Sequence, residues 1–405
     1  MAGPSENDVS GARIPAHRVF LVFLGLGLTS FGGPIAHLGY FREAFVSRRR
    51  WLSEAAYADL VALCQFLPGP ASSQVGIGIG LAKAGLTGAL AAWLGFTTPS
   101  ALALVLFGFG VVAYGDALPE GVLAGLKIVA VAVVAQAVWG MARSLCPDAR
   151  RAGLAIAAAI GVLALPAVWA QLAVIAAGAV AGLVLLEPED TGAPSPLGIH
   201  IGRPLAVTAL MLFFALLLGL PVAAAAWPDQ ALALVDGFYR AGSLVFGGGH
   251  VVLPLLQAEV VPPGWVTRDD FLAGYGAAQA VPGPLFTFAA YLGAVAAPAP
   301  NGWAGAVICL LAIFAPSFLL MVGVMPFWDR LRRVAPVRTA LMGVNAAVVG
   351  LLLAALYHPV WTGAIAGPGD FALALAAFGL LAVAKVPPWV VVALTAAGGW
   401  AIAAL

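Results

Sequence analysis

Charge is what this sequence has least of. Asp, Glu, Lys and Arg make up 9% of its 405 residues, about a third of the share usual in soluble domains. Beside them stand 62% hydrophobic residues, more apolar surface than a water-soluble fold can hide. Apolar stretches recur along the whole chain and many exceed the roughly 20 residues that cross a bilayer core, so lipid is the solvent for most of the protein. The net charge is +1 and the largest basic run is Arg48, Arg49 and Arg50; this is no footprint for nucleic acid, and the run reads as a topogenic loop. Cysteine is nearly absent: Cys64, Cys146 and Cys309 lie far apart with no C-x-x-C pair, which excludes a disulfide framework and a cysteine metal site and leaves packing. No P-loop string, haem motif, Cys/His cluster or dinucleotide fingerprint occurs, so neither cofactor nor metal is expected and the chain does not read as an enzyme. Residues 1–16 are polar, with Glu6 and Asp8, and lack a cleavage site behind a short apolar core, so they read as a cytoplasmic tail that stays in the mature protein.

What the sequence does have is a repeat. In the first half Phe31, opening FGGPIAH, precedes Trp51 by 20 residues, and Trp51 precedes Gln65 by 14 and Pro68, of the triplet Pro68-Gly69-Pro70, by 17. In the second half Phe246, opening FGGGH, precedes Trp265 by 19, and Trp265 precedes Gln279 by 14 and Pro282, of Pro282-Gly283-Pro284, by 17. The register continues through Pro99-Ser100 against Pro316-Ser317 and through Leu126–Ala135 against Leu341–Gly350, at offsets of 214 to 217. The chain is a duplication.

The expected fold is an all-α polytopic membrane protein: a repeat over 17–186, a polar linker over 187–203, one unpaired membrane segment over 204–226, and a second repeat over 227–405. Six segments per repeat plus the connecting one give about thirteen. An odd span between two even halves makes the second repeat enter from the opposite side, so the repeats are expected to be inverted. With the N-terminus inside, the basic loops Arg143, Arg150, Arg151 and Arg330, Arg332, Arg333, Arg338 both face the cytoplasm. Arg48 to Arg50 join them only if the first two segments turn back at their Gly/Pro breaks as re-entrant hairpins, the reading adopted here.

Four breaks interrupt the helical runs: Gly32-Gly33-Pro34, Pro68-Gly69-Pro70, Gly247-Gly248-Gly249 and Pro282-Gly283-Pro284. Irregular backbone at membrane depth survives only where protein buries it or a wet cavity receives it, and matched breaks in two halves point to a transporter's binding site. For any single break, close helix packing is an equal alternative. After each P-G-P a restarting helix presents first-turn amides, Ala71, Ser72, Ser73 in one half and Leu285, Phe286, Thr287 in the other. Helix dipoles, free N–H groups and the hydroxyls of Ser72, Ser73 and Thr287 suit an anion. Gln65 and Gln279, three residues before their triplets, read as loop-orienting or ligand donors, or as polar packing; Gln74 reads similarly. His37 and His250, beside the glycine breaks, are proton carriers or satisfied interfacial histidines. Lys127 either supplies positive potential to an anion path or snorkels to the headgroups; its counterpart is Met342. Asn345, aligned with Ala130, is a buried-polar candidate. Ser53 and Thr267 read as helix N-caps only.

The strings FGGPIAHLGYFREAFV, YADLVALCQFLPGPASSQ, SLVFGGGHVVLPLLQAEVV and FLAGYGAAQAVPGPLFTFAAYLG resemble the long-chain chromate ion transporters, duplicated proteins with antiparallel halves. The resemblance spans nearly the whole chain. It implies export of chromate from the cytoplasm across a bacterial-type inner membrane, giving chromate resistance, driven by membrane potential, protons or both. Two other readings stay beside it: transport or exchange of sulfate or another dianionic oxyanion, and a membrane-embedded reductase. Expected partners are chromate, with sulfate as alternative, and membrane lipid; a homodimer is left open.

Overall fold

The computed structural model describes residues 13–114, 120–165, 168–188, 199, 201–246 and 248–404. All regular structure among them is helical. In the first half α1 (Ala16–Thr29) is followed by α2 (Gly33–Arg42), α3 (Glu54–Phe66), the long α4 (Ala71–Tyr114), α5 (Glu120–Leu145), α6 (Ala149–Ala164) and α7 (Val168–Leu185). A connecting helix, α8 (Arg203–Ala226), leads to α9 (Gln230–Leu244), α10 (Val252–Val260), α11 (Arg268–Ala278), α12 (Phe288–Val295), α13 (Gly302–Val324), α14 (Ala335–Ala355), α15 (Pro368–Phe378) and α16 (Pro388–Ala403). Among the described residues five stretches, 71–114, 121–145, 203–226, 302–331 and 335–364, are long and apolar enough to cross a membrane. The linker expected over 187–203 lies largely outside the described residues, as do the first twelve residues of the tail.

The four breaks turn the chain back on itself. Phe23 of α1 stacks on Phe45 with ring centroids 5.0 Å apart and meets Phe41 edge-on at 5.6 Å, whereas a helix continued from residue 23 to 45 would hold them about 33 Å apart. In the second half Arg240 of α9 reaches Glu259 of α10 at 2.9 Å. At the P-G-P breaks Leu60 packs on Gly78, and Gly274 on the ring of Tyr291, whose hydroxyl donates to Asp270 O at 2.8 Å. Each limb is too short to cross alone: the 14 residues of α1 rise about 21 Å against a core of about 30 Å. Helix α4 itself bends at Ala84 and Gly85, where φ/ψ leave the helical region, separating the hairpin limb 71–83 from the long limb 86–114.

The halves differ by one residue between their Phe and Trp landmarks, and the first half takes up the extra residue in a π turn, Glu43–Arg48, where the second has regular α10. Caps fall as the sequence indicates: Ser53 Oγ accepts from Ala56 N at 3.2 Å and Thr267 Oγ1 from Asp270 N at 3.1 Å. Small residues let equivalent helices approach closely. Gly27 of α1 lies against the backbone of Gly95 and Phe96, as Gly242 of α9 lies against Ile313. Across the halves the exchange is reciprocal: α5 packs Gly121 and Gly125 on Gly399 and Thr395 of α16, and α14 packs Gly343 on Gly178 and Gly182 of α7. The halves are thereby interlocked, and the four breaks lie where they meet.

Candidate functional site

Each P-G-P loop is hydrogen-bonded to the glycine break of the other half. Gly69 N–H donates to Val245 O at 2.7 Å, and Gly283 N–H donates to Ser30 O at 2.9 Å. Ser30 and Val245 are equivalent positions, each immediately before its Phe-Gly-Gly, so the two bonds form a matched pair. The loops also approach the long helices of the opposite half. A Cβ at Gly69 would lie 2.9 Å from Ser317 Oγ, and one at Gly283 2.8 Å from Ser100 Oγ. With φ of +126° and +104° at these two glycines, a side chain there meets backbone strain as well as a clash. The glycine breaks face each other too. A Cβ on Gly33 would lie 3.7 Å from His250 Nε2, and one on Gly249 3.1 Å from Pro34 Cγ. Gly32 and Gly248 adopt positive φ; Gly247 lies outside the described residues.

Polar atoms collect around this junction without enough partners. Ser30 Oγ, Ser73 Oγ, Gln74 Oε1, Thr97 Oγ1 and Ser317 Oγ are buried with no hydrogen-bond partner among the described residues. Buried polar atoms are normally paired, and leaving one orphaned costs on the order of 1–3 kcal/mol, so these five leave hydrogen-bonding capacity unspent beside the junction. His37 is buried, with Nε2 at 3.1 Å from Ser30 O and Nδ1 at 3.4 Å from Ser72 Oγ. His250 Nδ1 pairs with Tyr275 O–H at 2.7 Å.

The two restarting turns are unequal, a departure from the expectation of equivalent anion-binding N-termini. Ala71 opens an α-helix directly, leaving the amides of Ala71, Ser72 and Ser73 without intrahelical acceptors. In the other half Leu285–Thr287 form a 3-10 turn before α12, and both the Thr287 amide and its hydroxyl donate to Pro284 O, at 3.1 and 2.7 Å. Thr287 is consumed by its own loop, and Leu285 and Phe286 are buried apolar side chains.

Other candidates fall elsewhere. Gln65 is exposed, and Gln74 takes the loop-orienting role expected of it, donating from Nε2 to Pro68 O at 2.7 Å. Gln279 bonds back to Tyr275 O at 3.3 Å, so it is polar packing. Lys127 does not stand free: its ammonium lies 3.1 Å from Asp269, an exposed carboxylate at the start of α11, the end of that helix remote from Pro282-Gly283-Pro284. Asn345 sits on α14 with Oδ1 buried and unpartnered. Sequence reasoning missed Ser30, Thr97, Ser100 and Ser317 as site residues. Its own signal was the Pro-Ser dipeptide repeated inside two apolar runs, used only as a mark of register. It also missed Asp236 and Arg240, and the pairing of Asp59 with Arg332 at 2.5 Å.

A chromate transporter family profile matches residues 17–183 and again 232–400. A chromate transport protein of Pseudomonas aeruginosa is 30% identical over 341 residues, 83% of this chain and 79% of that protein. A probable chromate transport protein of Synechococcus elongatus is 29% identical over 82% of each chain, and a chromate transport protein of Cupriavidus metallidurans is 24% identical over 84% of this chain and 81% of that one. No solved structure matches the chain.

Proposed function

The chain belongs to the chromate transporter family, a family of transport proteins, and from that premise we propose that it exports chromate from the cytoplasm through the junction of the four breaks. It lies in a bacterial-type inner membrane as two inverted repeats, N-terminus inside, with the four hairpins re-entrant. The observation that carries the site is the set of orphaned hydroxyls beside two reciprocally bonded P-G-P loops. Serine and threonine hydroxyls with the free amides of a helix start complement an oxyanion without holding a cation permanently in the bilayer.

The force is at hand. One charge crossing 100 mV is worth about 2.3 kcal/mol, so a dianion leaving a negative interior gains about 4.6 kcal/mol, enough for a gradient of about three decades. In purified protein reconstituted in liposomes, chromate flux is followed with the potential set in either sense and sulfate as competitor. Flux that follows the potential and yields little to sulfate is expected; flux that ignores the potential or prefers sulfate overturns the reading in favour of another dianion or an obligatory exchange.

A further inference from the structure

The second glycine-break hairpin carries a buried ion triad that the first does not. A single nitrogen of Arg240, Nη2, lies 2.8 Å from Asp236 Oδ2 and 2.9 Å from Glu259 Oε2. Asp236 is 7% exposed, and the side chains of Arg240 and Glu259 are 24% and 14% exposed. Gln171 and Leu172 of α7, from the other half, lie over Arg240 and Glu259 and leave a cavity of about 10 Å³ there, room for about one water. At an offset of 215 the equivalent first-half residues are Leu21, Gly25 and Ala44. There the same place between the two limbs is an open groove of about 410 Å³, lined by those three residues with Tyr40, Glu43 and Arg48.

The comparison separates scaffold from chemistry. The first hairpin folds back with apolar residues at all three places, so the backbone does not require the triad, and burying three charges is expensive unless they balance. They do not: two carboxylates face one guanidinium, a formal charge of −1. Among the described residues the cavity beside the triad adds no further charge, since Gln171, Leu172, Ala241, Leu244, Leu255 and Ala258 complete its lining. The sequence of α7 holds no titratable residue, α8 only Arg203 at its first position, ten residues before the Phe213 that meets Tyr239, 302–324 only Cys309, and α14 only Arg338 near its start. On the hairpin itself Tyr239 spends its hydroxyl on Phe213 O, and His250 is paired to Tyr275. One proton on a carboxylate oxygen turned away from Arg240 makes the triad neutral.

We propose that Asp236, Arg240 and Glu259 form a proton-binding site that couples proton movement to the anion flux. This rests on the transport reading above, and in the orientation given there the triad opens towards the outside. The proton enters by way of the water-sized cavity, and its arrival discharges the triad, so the hairpin can move within the low-dielectric interior without carrying a net charge.

Two measurements test it together. Infrared titration of the purified protein without substrate reads a protonated carboxyl directly. Chromate flux in liposomes is read with the potential clamped at zero and a pH gradient imposed. The variants are Glu259→Gln, Asp236→Asn, and the triple change Asp236→Leu, Arg240→Gly, Glu259→Ala, which installs the first half's own residues and so should fold. The wild type is expected to show a protonated-carboxyl band that is lost as the pH is raised. Its limiting chromate ratio is expected to shift about tenfold per pH unit for a one-proton link. All variants are expected to lose both responses and keep flux driven by potential. An identical band in wild type and variants, an undiminished pH response in the variants, or a sodium gradient replacing the proton gradient overturns the proposal. If no protein moves chromate, the chromate reading fails and the infrared titration alone decides the proton site.

Discussion

The two P-G-P hairpins have the same backbone plan and different contents. Both loops donate a glycine N–H to the other half's glycine break, and both glycines are pressed against a serine of the opposite long helix. After Pro70, however, a regular helix begins with Ser72, Ser73 and Gln74, all buried, whereas after Pro284 a 3-10 turn closes on itself and buries Leu285 and Phe286. The glycine-break hairpins diverge the other way, with aromatic packing of Phe23, Phe41 and Phe45 in the first and the Asp236–Arg240–Glu259 triad in the second. Duplication thus kept the joints and divided the chemistry. The open helix start with Ser72 and Ser73 lies in one half and the Asp236–Arg240–Glu259 triad in the other.

The largest effect should come from the part that is shared. Gly69→Leu and Gly283→Leu each force a side chain into positive φ and against Ser317 or Ser100. Both are expected to lower flux by at least about 100-fold, since a small misplacement of a binding loop is enough for that. Equal losses, with normal amounts of protein in the membrane, support equivalent joints. A Gly283→Leu protein that still transports would break the symmetry and leave only the first loop in the pathway.

Next in size is a tie between the halves that has no twin among the described residues. Arg332, after α13, pairs with Asp59 of α3, with side chains 7% and 8% exposed. Removing one member strands a buried charge at about 3–5 kcal/mol, while removing both is far milder. Thermal unfolding in detergent should show a large loss for Arg332→Met and recovery of most of it in Asp59→Leu/Arg332→Met. A double variant no better than the single one would assign Arg332 another partner.

These asymmetries mark how far the sequence could be read. The helical segments, the duplication and the positions of all four breaks were legible because Gly, Pro and Trp recur at fixed spacing in otherwise apolar runs. That the limbs fold back on each other is shown by the contacts of Phe23 with Phe45 and of Arg240 with Glu259; spacing alone left it open. Partnership across the halves was not legible. Asp59 and Arg332 stand 273 residues apart, and no periodicity relates a loop's N–H to a carbonyl in the other repeat. Nor could spacing reveal that Gln74 rather than Gln65 steadies the loop, because helix phase beyond a proline break depends on where the helix restarts. The 3-10 turn at Leu285 escaped for the same reason.

The unequal turns predict unequal sensitivity to loss of a hydroxyl. Ser72 and Ser73 stand on a helix start whose amides have no intrahelical acceptor, and a hydrogen bond to a charged ligand contributes about 1.5–3 kcal/mol, or about 10- to 100-fold in affinity. Ser72→Ala is therefore expected to raise the chromate concentration for half-maximal flux about tenfold or more. Thr287→Val, which loses a hydroxyl already committed to Pro284 O, should stay within about twofold, the level of a surface-like change. Saturation curves in liposomes check both. A Thr287→Val effect as large as that of Ser72→Ala would restore two equivalent binding turns.

The smallest effect is expected at Lys127, for which the sequence left a place in the anion path and snorkelling to the headgroups as alternatives. Lys127 is paired with Asp269, whose side chain is 70% exposed, so its attraction is screened by water and salt and contributes no more than about 1 kcal/mol. Changing it to Met, the residue at its repeat equivalent, should shift thermal unfolding only slightly and leave chromate flux within about twofold. Raising the ionic strength should erase even the stability difference. The ammonium points to the start of α11, a helix of 11 residues, and the P-G-P break lies about 15 Å away at its other end. A more than tenfold fall in flux with unchanged stability would mean that Lys127 releases Asp269 in another state of the protein, bringing a cation into the anion path after all.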